Sequence, residues 1–233
     1  MHHRPGTGGR RVRRRGQTGN ATDRTGARSG EQLRQHICTE AARIMAEEGV
    51  TDFHAAKRKA AVRLNQPETR HLPSNHEVDT ALNAYLHLFH ADRVATARKE
   101  LRRIAAEAMR FFSAYEPRLV GPVLSGNVTP FSEIQLHVSS DTPEEIAFLL
   151  QEHRIPHEAA SRRIRFGGDR SEYRPAFRFL ADSAPVELVV FTPEGGRETP
   201  LSPVDGKPMH RANLREVETL LSDPPPEHHV VGD

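Results

Sequence analysis

The fold of this chain is decided by the stretch VGPVLSGNVTPFSEIQLHV, residues 120–138. Apolar segments stand at both ends, and they predict strands over residues 118–124 and 133–138. The stretch also contains Gly121, Gly126 and two prolines, residue types that interrupt regular structure. Because successive side chains of a strand point to opposite faces, Glu133 and Gln135 are expected to share one face of the second strand.

Downstream of this stretch, the pattern predicts a sheet with helices beside it. A helix is expected to begin near Thr142-Pro143, since Thr is a frequent N-cap residue and Pro suits the first helical position. Further strands are predicted over residues 162–166, 176–180 and 186–191. The residues Asp182-Ser183 predict a hairpin turn between the last two strands. A final helix is indicated by four apolar residues at helical spacing: Leu214, Val217, Leu220 and Leu221.

Upstream of the stretch, apolar residues at helical spacing predict four amphipathic helices. They cover residues 31–48, 53–64, 74–89 and 92–115. Gly49 is expected to end the first helix, and Asp52 is expected to cap the second. Ser74 and Glu77 have the spacing of a capping box. The chain is therefore predicted to be an α+β protein, in which an N-terminal helical region precedes a mixed sheet with flanking helices.

Charge and composition complete the predicted domain organisation. Residues 1–30 contain eight arginines and one acid, a net charge of +7, whereas the rest of the chain carries −5. We expect a disordered basic tail over residues 1–30, a helical region over 31–115, an α/β domain over 116–222 and a second disordered tail over 223–233. The basic tail could bind nucleic-acid phosphates non-specifically, or it could be only a solvated tail.

Two whole classes of protein are disfavoured by the composition. The longest apolar runs are far shorter than the roughly 20 residues that a membrane span needs, so we expect no membrane partner. The one cysteine, Cys38, cannot form an intramolecular disulfide, and this favours a reducing compartment, the cytoplasm. The oligomeric state does not follow from the sequence.

Residues 120–138 resemble, without a gap, the signature of the polymerase-beta-like nucleotidyltransferases. In that superfamily a Gly-Ser pair precedes a second Gly and then a Ser-Asp-x-Asp strand. Gly121 and Gly126 correspond to the two glycines, and Ser132 and Glu133 correspond to the serine and the first acid. The third acid of the family lies on a later strand, where Glu187 is the candidate. The resemblance extends over roughly residues 116–192.

The resemblance implies a nucleotidyltransferase-like sheet and transfer of a nucleotidyl group from an NTP to an unidentified acceptor. Divalent metal, Mg²⁺ in particular, would be bound by Glu133 and Glu187, and Gln135 would be the third catalytic residue. Close approach of backbone N–H groups to the phosphates would involve the predicted nucleotide-binding residues Gly121, Ser125, Gly126 and Ser132.

Two departures from the signature keep other hypotheses open. Pro122 replaces the family's serine, which removes a hydroxyl and a backbone donor, and Gln135 replaces the second acid with a neutral amide. Both favour a catalytically inactive nucleotide-binding, nucleic-acid-binding or regulatory module of the same fold. Alternatively, the helical region could mediate assembly while the sheet only packs against it. At the level of single residues, Glu187 could be an ordinary cross-strand partner of Arg178, and Arg162, Arg163 and Arg165 could contact phosphates.

Overall fold

The computed structural model describes residues 21–168 and 170–222 and shows a mixed α/β fold around a five-stranded sheet. Its helices are α1 (Ala21–Glu48), α2 (Phe53–Arg63), α3 (Asn75–Phe111), α4 (Gly121–Ser125), α5 (Pro143–Glu152) and α6 (Leu214–Ser222). Its strands are β1 (Arg118–Val120), β2 (Ile134–Ser139), β3 (His157–Arg165), β4 (Ser171–Ala181) and β5 (Ala184–Phe191). The predicted α+β class is confirmed at this level, and the nucleotidyltransferase-like assignment stays a prediction.

The sheet has the strand order β1-β2-β5-β4-β3, in which β2 and β5 are parallel and the other neighbours are antiparallel. One face forms the main hydrophobic core, because every second residue of β2 and β5 is apolar and buried there. These core residues are Ile134, Leu136, Val138, Val186, Leu188 and Val190, and they pack with α5, α6 and the second half of α3. The opposite face carries Gln135, His137 and Glu187.

A second core joins α1, α2 and the first half of α3. The sequence predicted two helices over residues 74–89 and 92–115, and the separation between them was wrong, since α3 is one helix with a kink at His90. His90 leaves helical geometry (φ −139°, ψ 19°), and the residues on both sides of it are helical, so no loop is needed. The kink divides α3 between the two cores, and its second half gives the core of the sheet Ile104, Ala105, Ala106, Ala108 and Met109.

Local signals placed several helix ends correctly. Asp52 caps α2 by accepting a hydrogen bond from the Ala55 N–H (2.7 Å), and Ser74 and Glu77 form the predicted capping box of α3. Gly49 follows the end of α1 with a left-handed backbone (φ +71°). The hairpin at Asp182-Ser183 connects β4 to β5.

Several predicted boundaries differ from the structure: β3 and β4 each begin five residues earlier than predicted, and α3 ends at Phe111 rather than at residue 115. The strand predicted over residues 118–124 ends at Val120, because Gly121 has a left-handed backbone (φ +71°) and Pro122 stands in the first turn of α4. The first helix begins at Ala21 rather than at residue 31, so residues 21–30 of the predicted tail are helical; adding turns to an existing helix costs little.

The nucleic-acid interaction and the disorder predicted for residues 1–20 and 223–233 lie outside the described residues. Within the described part, no helix combines the length and apolar character of a membrane span.

Candidate functional site

The sheet face opposite the main core forms one wall of a cleft with a volume of about 640 Å³. The other wall comes from the start of α3, where Asn75, His76 and Asp79 line the space, and from the loop around Ser202. Six of the seven predicted site residues lie along this cleft: Gly121, Ser125, Ser132, Glu133, Gln135 and Glu187. The structure therefore brings together side chains that are up to 66 positions apart in the sequence.

The three predicted catalytic residues meet because β2 and β5 are parallel neighbours. Gln135 and Glu187 are directly opposite each other in the register of these strands. Glu133 immediately precedes β2 and is two residues from Gln135, so alternation gives it the same orientation. All three side chains line the cleft.

Glu187 is buried, with 2% of its side chain exposed, and arginines neutralise it. Arg178, its cross-strand neighbour on β4, donates two hydrogen bonds to Glu187 Oε1, from Nη2 at 2.8 Å and from Nε at 3.2 Å. Arg162 Nε on β3 lies 3.6 Å from Glu187 Oε2. The hydrogen bonds that Arg178 donates to Glu187, together with the negative charge of Glu187, raise the pKa of Arg178. The alternative that Glu187 pairs with Arg178 is confirmed.

The environment of Glu133 disfavours the charged form of its carboxyl. Burial raises the pKa of its carboxyl, and the negative charge of Glu187 raises it further, although Arg178 and Arg162 oppose both effects. A raised pKa means that the folded state holds this proton more tightly than the unfolded chain does. The charged form of Glu133 therefore reduces the stability of the protein at neutral pH.

Glu133→Gln is expected to produce a modest increase in thermal midpoint at pH 7, because it removes this unfavourable charge. The stability of the wild type falls as pH rises from the ordinary glutamate pKa of about 4.3 through the raised pKa of the folded state. The advantage of the variant should therefore disappear below about pH 4. Thermal unfolding followed by circular dichroism between pH 3 and 8 measures this; a variant less stable than the wild type at pH 7 contradicts it.

The segment from Gly121 to Ser132 is arranged for packing more than for an open phosphate site. A Cβ on Gly121 would overlap Gln135 Oε1, so the glycine makes room for that amide. Gly126, the seventh predicted residue, faces α3, where its Cβ would lie 3.3 Å from Arg98 Cδ. Ser132 Oγ accepts a hydrogen bond from the Thr129 N–H (2.8 Å), and Ser125 Oγ donates to the Pro122 carbonyl (3.3 Å). Both hydroxyls hold the loop itself.

The oxygen ligands available in the cleft can be compared with those that the predicted Mg²⁺ would need. Both oxygens of Glu187 face guanidinium groups, and Gln135 adds no negative charge. Within residues 21–168 and 170–222, no group of three or more His, Cys, Asp or Glu side chains is close enough to hold a metal ion. The residues present therefore do not fit a two-metal site, and we derive no chemistry through one.

Two cleft residues were not found by sequence reasoning. Asp79 on α3 accepts hydrogen bonds from Asn127 Nδ2 at 3.2 and 3.3 Å, and burial raises the pKa of this carboxyl. His137 on β2 is 3% exposed, and burial, with the charges of Arg211 and Arg162, lowers its pKa to about 3. Asp79 stands among ordinary polar helix residues, and His137 is a single histidine in a strand, so neither had a local signal.

Comparisons of the chain with family models, with curated proteins and with solved structures found no match.

Proposed function

We propose that the protein is a nucleotide-binding module with a nucleotidyltransferase-like fold and without two-metal catalysis. The observation that carries this proposal is the occupation of Glu187 by Arg178 and Arg162. In a two-metal site this carboxylate would bind cations from solution. Here two cations of the protein itself already neutralise it.

The cleft has the size and the groups that a nucleotide requires. Its volume of about 640 Å³ lies within the range of small-molecule sites, roughly 300–1,000 Å³. Arg162, Arg163 and Arg165 line it from β3, and Arg162, on the same sheet face as Glu187, offers guanidinium donors for phosphate oxygens. On the opposite side Asn127, held by Asp79, offers an amide that can hydrogen-bond to a base. The phosphates would therefore bind at the β3 side and the base at the α3 side.

Nucleotidyl transfer to an unidentified acceptor is the second candidate function. The convergence of Glu133, Gln135 and Glu187 on one cleft favours it. Under this hypothesis the neutral Gln135 limits activity. Gln135→Asp would then raise the transfer of label from an α-labelled NTP, and Glu133→Ala would abolish it.

Glu187→Gln separates the two functions. For a binding module, we expect the dissociation constant for a nucleoside triphosphate in EDTA to fall about tenfold, equivalent to about 1.4 kcal/mol, because phosphates no longer compete with a carboxylate for Arg162, which lines the cleft. For an enzyme, the same variant loses metal-dependent transfer. Calorimetric titration with each of the four ribonucleoside triphosphates, with and without Mg²⁺, measures binding. Label transfer with cell extract as the acceptor source measures activity.

Glu107→Gln is the matched control, since Glu107 is exposed on α3 and pairs with Arg103 away from the cleft. It makes the same change of net charge and should leave nucleotide affinity unchanged. If no triphosphate binds to the wild type under either condition, the proposed function is wrong. If the wild type transfers label and Glu187→Gln does not, the second candidate replaces it.

A further inference from the structure

A second cavity, of about 750 Å³, lies at the carboxyl end of β2. Ser139 ends that strand, and Arg118 begins the antiparallel neighbour β1, so both line the cavity. Arg211 reaches it from the chain segment before α6, which pairs with β1 through hydrogen bonds between Leu119 and Ala212 of 2.8 and 2.9 Å. Two arginines therefore line one space.

The guanidinium group of Arg211 is held in place, but not all of its N–H donors have a hydrogen-bond partner among the described residues. Its Nη1 donates to the Gly196 carbonyl at 2.8 Å, and its guanidinium carbon lies 5.6 Å from the centre of the Phe191 ring. Its Nε is buried without a hydrogen-bond partner among the described residues. Burial lowers the pKa of Arg211, and the positive charge of Arg118 lowers it further.

Within the described residues, neither of these arginines forms an ion pair. Glu116 lines the cavity, but it is exposed and pairs with neither of them. A half-buried guanidinium with a free donor beside a second cation is an unfavourable arrangement unless an anion compensates it. Ser139 and Thr199 add hydroxyl donors to the same cavity, and Ser139 Oγ lies 3.5 Å from the position of a Cβ on Gly196.

We propose that this cavity binds an oxyanion, a phosphate group or a carboxylate, between Arg118 and Arg211. The anion would accept from Arg118 and from the outer N–H groups of the Arg211 guanidinium, and it would neutralise the two cations. The hydroxyls of Ser139 and Thr199 would complete its hydrogen bonds. The site is separate from the proposed nucleotide phosphates at β3, although Met209 and His210 line both spaces.

Calorimetric titration of the full chain with inorganic phosphate and with acetate, at constant ionic strength in chloride, tests the proposal. We expect the wild type to bind at least one of these anions and the dissociation constant to rise about tenfold or more in Arg118→Gln and in Arg211→Gln. Arg118→Gln is the more informative variant, because Arg211 also holds the Gly196 carbonyl and its loss could disturb folding. The anion that binds more tightly identifies the ligand class.

Arg93→Gln is the matched control for charge, since Arg93 is exposed on α3. Arg162→Gln is the control for the first cleft. Arg93→Gln should bind the anion as the wild type does, and Arg162→Gln should retain the binding that Arg118→Gln loses. Absence of binding by the wild type overturns the proposal. Loss of binding in Arg162→Gln with retention in Arg118→Gln also overturns it and assigns the anion to the nucleotide cleft, in which case the proposed function still stands.

Discussion

Replacing both Arg162 and Arg178 with leucine is expected to lower the free energy of unfolding at pH 7 by about 3–5 kcal/mol. The reason is that Glu187, with 2% of its side chain exposed, would be left as a buried carboxylate without a positive partner. The two arginines are themselves 44% and 50% exposed, so the loss comes from the stranded carboxylate more than from their own packing. Urea unfolding followed by circular dichroism measures the change.

Adding Glu187→Gln to this double variant should recover most of the lost stability, because the buried charge is then absent. Arg103→Leu and Arg110→Leu together form the matched control. Arg103 pairs with Glu100, Glu107 and Asp182, and Arg110 pairs with Glu218; all these ion pairs lie at the surface, where each is worth about 1 kcal/mol or less. A loss in the Arg162 and Arg178 variant no larger than in this control would show that Glu187 does not depend on the two arginines.

Gly121→Ala is expected to lower the free energy of unfolding by roughly 2–5 kcal/mol, the sum of a backbone and a steric cost. The backbone has φ +71°, a left-handed conformation that disfavours residues with a Cβ. The new methyl group would also overlap Gln135 Oε1 in the cleft. Because Gln135 faces Glu187 across β2 and β5, the variant should disturb nucleotide binding as well.

Gly206→Ala separates the two costs. Gly206 has nearly the same backbone, φ +70°, and no atom lies within 4 Å of the position of its Cβ. It should lose only the backbone cost, about 1–2 kcal/mol. Gln135→Ala in the Gly121→Ala background should relieve the overlap and bring the loss close to that of Gly206→Ala. Equal losses for Gly121→Ala and Gly206→Ala would show that Gln135 moves aside freely.

The polar side chains of the cleft are either held by contacts within the protein or available to bind a ligand, and both predictions test which of the two applies. Gln135 fits against Gly121, and Glu187 is held by Arg178 and Arg162. Substituting an acid at position 135 alone would therefore leave the guanidiniums in place at Glu187. For this reason we favour binding over metal-dependent transfer in this cleft.

Local sequence patterns were enough to predict the helices and strands and a part of the candidate site. Alternation predicted that Glu133 and Gln135 share a face, and capping residues such as Asp52 and Ser74 marked helix starts within a residue or two. Such signals arise from interactions between residues a few positions apart, so they are readable without the fold. The strand predicted over residues 118–124 was too long because Gly121 and Pro122 suit both a loop and a helix start.

Strand order was decided only by the tertiary structure. Side-chain alternation in β5 shows that Glu187 points away from Val186 and Leu188, but it does not say which strand lies beside it. The parallel pairing of β2 with β5 put Glu187 opposite Gln135, and the antiparallel β4 and β3 then brought Arg178 and Arg162 to the same carboxylate. Likewise, the second cavity depends on the pairing of Leu119 with Ala212, 93 positions later. Such contacts depend on how whole helices and strands bury their apolar faces against one another. The free energy of this burial comes from many residues that are distant in the sequence, so no local pattern reveals it.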